Sequence, residues 1–176
     1  QRLGGWRSMA LEWGGLTPAL DAGTIDVAIA GQSMTATAWL GGYGRALLLR
    51  TIVCVTTKDS PNASAKSVSE LTGTCTAQTG TIWYETCLPQ AAEVADIEIM
   101  PQSEDAPAMI MAVESGTVDF ICTDIPTAMG ACSTYDDLTI LDFSNNAEDN
   151  FRRQRRRHQH RHLCAQGNTQ LKDAID

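Results

Sequence analysis

Between residues 52 and 143, short apolar runs alternate with helix-length segments, and this alternation constrains the fold more than any other feature of the chain. "IVCVTTK" reads as a strand and "SAKSVSELTG" as a short helix, capped by Ser67 or Ser69 and stopped by Gly73. "TCTAQTG" reads as the next strand and "TIWYETCLPQAAEV" as the next helix. The unit then repeats: "DIEIMP" is a strand, and "SEDAPAMIMAVESG" a helix with Glu104 and Asp105 in its first turn and Gly116 at its end. "VDFICTD" is a near-continuous apolar strand, "IPTAMGACSTY" a helix with Pro126 in its first turn, and "LTILDF" a closing strand. Such alternation predicts an α/β architecture, an open and mostly parallel sheet covered on both faces, with ligands bound beyond the carboxyl ends of the strands.

Upstream, "LEWGGLTPALDAG" reads as a short helix closed by Gly23, and "TIDVAIAG" as a buried strand ended by Gly31. The pattern is then lost, because "TATAWLGGYGRALLLRT", residues 35 to 51, has neither a helical nor an alternating period. Residues 52 to 143 hold enough elements for a complete small lobe, whereas residues 1 to 34 and 164 to 176 read as pieces of another. No stretch approaches a membrane-spanning apolar length, and the N-terminus carries no basic-then-apolar export signal.

Charge is distributed unevenly. Arg152, Arg153, Arg155, Arg156, Arg157 and Arg161 are six of the chain's 13 basic residues, and without them seven face 21 acidic ones, a net of -14 instead of -8. So acidic a body repels nucleic acid and anionic membranes, and a polyanion could bind only through the basic run, which has no interleaved aromatics. His158, His160 and His162 alternate as metal ligands on one strand face would, but no carboxylate lies close in sequence. The reading is therefore no nucleic acid, no metal and no cofactor. Six cysteines show no C-x-x-C spacing; Cys54 and Cys122 sit in apolar runs as small buried hydrophobes, and a Cys75–Cys87 bridge is left open.

The stretches "GGLTPALDAGTIDVAIAGQSMT", "IVCVTTKDS", "GTIWYETCLPQ", "MAVESGTVDFICTDIPTA" and "GNTQLKDAID" together resemble the solute-binding proteins of amino-acid ABC transporters, over about three quarters of the chain and in colinear order. The resemblance implies the two-lobe type II periplasmic binding protein fold with lobe 1 incomplete: residues 1 to 51 and 144 to 176 in lobe 1, residues 52 to 143 in lobe 2. It implies a monomeric, non-catalytic receptor at the periplasmic or extracellular face of the cell membrane. Such a receptor captures a polar amino acid between its lobes and delivers it to permease subunits. Its export signal or anchor, the only means of membrane association besides the permease, would lie outside this chain.

The family pattern also gives an account of the two anomalous stretches. Written as GCC TTA TTA TTA CGC, "ALLLR" becomes Pro-Tyr-Tyr-Tyr-Ala when the frame moves by one nucleotide, and the family has such a sequence at this place. With suitable codons the same move can turn "RRQRRRHQHRHLC" into Gly-Ser-Asp-Glu-Asp-Ile-Asn-Ile-Gly-Ile-Cys, an acidic turn followed by a strand, again as in the family. Residues from about 37 to 51 and 152 to 165 are on this account frame-shifted.

An amino-acid site must partner a carboxylate and an ammonium at once as water leaves. "GQSMT" follows the strand "DVAIA" and should open a helix, so that Gly31, Ser33 and Thr35 offer N–H groups and hydroxyls to the ligand carboxylate; by resemblance Ser33 is a carboxylate contact. Thr81 in "TGTIW" stands where the family places a second hydroxyl near the carboxylate, and Asp124 where it places the partner of the α-ammonium. Trp13 matches an aromatic position over the ligand side chain. Plain roles compete: Ser33, Thr35, Thr81 and Asp124 as helix caps, Trp13 as core. The family's carboxylate-clamping arginine falls at Ala38, and one lost charged hydrogen bond, about 1.5 to 3 kcal/mol, weakens binding roughly ten- to a hundred-fold.

A catalytic relative on the same fold, such as a small dehydratase, is the main alternative, although no nucleophile, base and oxyanion donor assemble here. A non-functional frame-shifted piece is another. A high-coverage nucleotide read across the codons for residues 35 to 52 and 150 to 166 is expected to recover the Pro-Tyr-Tyr-Tyr-Ala and Ile-Asn-Ile-Gly-Ile frames. Codons that stand as written would make the chain a diverged relative.

Overall fold

The computed structural model describes residues 7–33, 43–49, 51–146, 149–151 and 159–164, with side chains described for 7–29, 51–146 and 149–151. The chain divides into two compact units, one of Gln1–Leu47 with Arg161–Asp176, the other Leu48–His160.

In the first unit a 3-10 turn, Trp13–Gly15, leads into helix α1, Leu16–Asp21. Pro18 falls in the first helical turn, where no N–H is needed, and Gly23 ends the helix at φ +68 with its N–H on the Leu20 carbonyl (3.0 Å). Strand β1, Val27–Ser33, follows, with Leu20 and Ala28 buried. β1 runs two residues past Gly31, the expected stop, since glycine weakens a strand without ending it. The stretch without a period forms strand β2, Tyr43–Leu49, and the basic run contains strand β8, Gln159–Cys164; the three strands pair in the order β1-β8-β2.

The second unit is built on five strands: β3 (Ile52–Thr57), β4 (Thr72–Thr76), β5 (Asp96–Ile99), β6 (Phe120–Asp124) and β7 (Leu138–Leu141), in the order β5-β4-β6-β3-β7. β4 pairs in parallel with β5 and β6, whereas β3 is antiparallel to both β6 and β7. Four strands thus run one way, as the alternation predicts, and β3 alone opposes them. Among the described residues no helix leads into β3, which follows strand β2 in the chain, so no βαβ crossover requires it to run parallel.

The helices are α2 (Leu88–Ala92), α3 (Ala106–Glu114) and α4 (Ile125–Thr134). α2 is preceded by a π-helical stretch, Trp83–Cys87, and together they make the helix expected over "TIWYETCLPQAAEV". Pro89 accounts for the π geometry: it lacks an N–H and its ring would clash with the Glu85 carbonyl in a regular α-helix. Asp105 is the N-cap of α3, its Oδ1 accepting from Ala108 N at 2.7 Å, so Glu104 lies before the helix and not in its first turn. Gly116 ends the helical segment at φ +73.

The helix expected over "SAKSVSELTG" is only a 3-10 turn, Val68–Glu70, and Gly73 lies inside β4. Asn62 accounts for the early strand, because its side chain pairs with both backbone groups of Thr72 at 2.9 Å, as a neighbouring strand would. Gly73 has φ +88 and lies under Asp119, whose carboxylate accepts from the Thr74 N–H (2.7 Å) and hydroxyl (2.9 Å). A Cβ at position 73 would stand 2.3 Å from Asp119 Oδ2.

Val53, Val55, Leu71, Leu88, Met109 and Phe120 are fully buried and form the centre of the core. Each such side chain contributes about 1.5 to 3 kcal/mol through removal from water. The segment after β7 stays on this unit: buried Phe151 meets Phe143 with ring centroids 6.5 Å apart, and Asp149 accepts from the Ser69 N–H and hydroxyl.

Gly73→Ala is expected to destabilise the protein by about 1 to 3 kcal/mol in urea unfolding, from left-handed backbone strain and overpacking. Unchanged stability would show that Asp119 can move aside without loss.

Candidate functional site

β4 and β6 are adjacent and parallel, with Cys75 opposite Phe120 and Thr76 opposite Ile121, so their carboxyl ends reach the same edge of the sheet. Each strand leads there into a helical segment, so two helix N-termini lie at this edge.

The β4 side ends in the turn Thr79-Gly80, with Gly80 at φ +65, and Thr81 opens the helical segment. Thr81 is buried; its hydroxyl donates to the Gln78 carbonyl at 2.6 Å, and its own carbonyl accepts the helical bond from Glu85 N at 3.1 Å. A hydroxyl that donates in this way keeps its lone pairs for acceptance, while the helix N–H groups supply donors for an anion. The turn is held from β5: Gln78 bridges Ser103 in parallel, Thr79 N donates to Ser103 O (2.8 Å), and Ser103 N donates to Ala77 O (3.0 Å).

The β6 side ends in Asp124, 1% exposed. It is the N-cap of α4, with Oδ1 accepting from Thr127 N at 3.0 Å and Pro126 in the first turn. The strand register sets it opposite Ile52, and Ile125 N donates to Thr51 O at 3.2 Å, so backbone hydrogen bonds locate the carboxylate. Burying a carboxylate is strongly unfavourable unless hydrogen bonds and dipoles compensate, and a helix N-terminus supplies both. Chemically, this edge combines N–H donors suited to a carboxylate near Thr81 with one buried carboxylate, that of Asp124, suited to an ammonium.

The other expected site residues belong to the first unit. Trp13 begins the 3-10 turn and is half-buried. Gly31 and Ser33 lie in β1 and not at the opening of a helix, because the strand continues through Ser33. Thr35 and Ala38 lie outside the described residues. Gln78 and Ser103 are additions at the carboxyl edge; a polar residue just after an apolar strand, ahead of a Thr-Gly turn, was the available signal for Gln78.

Among the described residues no group of three or more His, Cys, Asp or Glu is placed to hold a metal ion. Cys75 and Cys87, the pair left open by spacing, are not joined by a disulfide, and neither Cys54 nor Cys122 is in one. Burial, with the Cys54 thiol and the Asp119 carboxylate nearby, pushes the Cys75 thiol up to about 12.

No protein-family model and no curated protein matches the sequence. Solved structures do. The substrate-binding protein of an amino acid ABC transporter is 24% identical with TM-score 0.74, over 95% of this chain and 69% of that one. An ancestral arginine-binding protein bound to arginine is 22% identical with TM-score 0.75, over 95% of this chain and 70% of that one. The ancestral amino acid-binding protein AncCDT-1, a precursor of cyclohexadienyl dehydratase, is 19% identical with TM-score 0.74, over 95% and 67%. On this likeness the chain has the α/β fold of the type II periplasmic binding proteins.

Proposed function

We propose that the chain is the extracytoplasmic solute-binding component of an ABC transporter, which captures a polar amino acid at the carboxyl edge of the β4-β6 pair and delivers it to a permease. The observation that carries this reading is Asp124: a carboxylate 1% exposed, at the carboxyl end of a buried strand and on a helix N-terminus. Thr81 on the adjacent parallel strand's helix supports it, since carboxylate donors beside an ammonium acceptor match the two charged ends of an α-amino acid. The similar solved structures of amino-acid-binding proteins support it too.

Asp124 binds the α-ammonium, and the N–H groups of the helix that Thr81 opens bind the α-carboxylate, with the Thr81 hydroxyl turning from the Gln78 carbonyl to donate to it. Trp13, Gly31, Ser33 and Thr35 remain the proposed contacts from the first lobe. The ligand leaves unchanged; the similar structure with a dehydratase connection is itself described as an amino acid-binding protein. A net charge of -8 favours cationic ligands through the long-range field, an effect that salt weakens.

Calorimetric titration with a panel of L-amino acids tests the assignment. Asp124→Asn retains a good N-cap, so its urea-unfolding free energy is expected to stay within about 0.5 kcal/mol, whereas Asp124→Ala loses about 0.5 to 2 kcal/mol. Both variants are expected to bind the preferred amino acid roughly ten- to a hundred-fold more weakly, as one charged hydrogen bond of about 1.5 to 3 kcal/mol is lost. Unchanged affinity in Asp124→Asn would leave Asp124 a helix cap only.

A further inference from the structure

Cys54 of β3 and Cys122 of β6 stand opposite each other in the antiparallel register. The hydrogen bond from Ile125 N to Thr51 O joins two residues that continue the same register one step beyond the Ile52–Asp124 pair. Pairs along an antiparallel ladder alternate between hydrogen-bonded and non-hydrogen-bonded, so with the 51/125 pair bonded, 52/124 and 54/122 are non-hydrogen-bonded pairs. At such a pair the Cα atoms lie about 4.5 Å apart with their side chains close together on one face, within the span of about 4.4 to 6.8 Å that a disulfide bridges. Both cysteines are free thiols at 0% exposure, and the neighbouring Cys54 and Cys87 thiols act with burial to push the Cys122 thiol up.

We propose that Cys54 and Cys122 are joined by a cross-strand disulfide when the chain folds in the presence of a small-molecule or protein disulfide. The thiolate of Cys54 attacks the oxidant's disulfide, forming a mixed disulfide and releasing one thiol; the thiolate of Cys122 then attacks the Cys54 sulfur and releases the second. The protein loses two hydrogens and the oxidant, reduced to two thiols, gains them. Cys54 is the favoured partner because backbone register alone brings it opposite Cys122, whereas Cys87 arrives only when the Trp83–Cys87 stretch docks over β6.

Burial sets the order of events. In the finished fold desolvation pushes the Cys122 thiol well above its ordinary range, and the core keeps an oxidant out. The bond therefore belongs to the stage at which β3 and β6 have paired but the helical segments have not yet covered them. Once made, it closes the loop that contains β4, α2, β5 and α3, which restricts the unfolded chain.

The test uses the full chain, unfolded and reduced, then refolded in mixed oxidised and reduced glutathione. Free thiols are blocked with iodoacetamide and the digest is mapped by mass spectrometry. The expected result is one predominant linked peptide pair, Cys54 with Cys122, present also in Cys87→Ala, and a higher melting temperature than the same chain kept in reductant. Folded, reduced chain given oxidised glutathione without unfolding is expected to keep both thiols free. Full alkylation of Cys54 and Cys122 after oxidative refolding, or a predominant Cys87–Cys122 link, would overturn the proposal.

Discussion

The contact between the Asp124 carboxylate and the first turn of α4 couples the fold of the second unit to its chemistry. β6 is buried at every position, so the strand must end in something that tolerates burial and turns the chain. A carboxylate does both here, because the helix that follows supplies an N–H at 3.0 Å and the positive end of its dipole. The cap thus makes a buried carboxylate compatible with a stable sheet, and a carboxylate is the partner an ammonium group needs.

β3 sets where that anion stands. It opposes the other four strands, and its register with β6 fixes Asp124 opposite Ile52 and Cys54 opposite Cys122. One ladder therefore determines both the level of the proposed ammonium site and the thiol pair two residues before it. Slippage by one residue would invert every side chain of β6 and place the Cys122 thiol on the opposite face. The parallel β4-β6 pair supplies the other half of the edge, and Gln78 with Ser103 holds the Thr81 turn against β5.

Much of this was legible in the residues. The apolar runs at 52 to 57 and 120 to 124 have the length and composition of buried strands, and Asp124 followed by Pro126 marks a strand end and helix start together. Direction was not legible for β3, since an apolar strand reads alike either way. Gly73 was misread because positive φ serves equally a helix stop and a strand pressed against a carboxylate from far along the chain, that of Asp119. The attachment of Asp149 was invisible for the same reason, as its partner Ser69 comes from a distant part of the chain. In the first unit the helix expected after "DVAIA" cannot begin before Ser33, where the strand still runs.

The central claim is that this edge holds an α-amino acid and returns it unaltered. Native mass spectrometry of the purified chain, followed by denaturation and identification of any small molecule released, tests it most directly. The account predicts a single L-amino acid, bound in a one-to-one complex and recovered chemically unchanged. Recovery of a dehydrated or otherwise converted product, or a chain that retains no amino acid even after incubation with all of them, would contradict it.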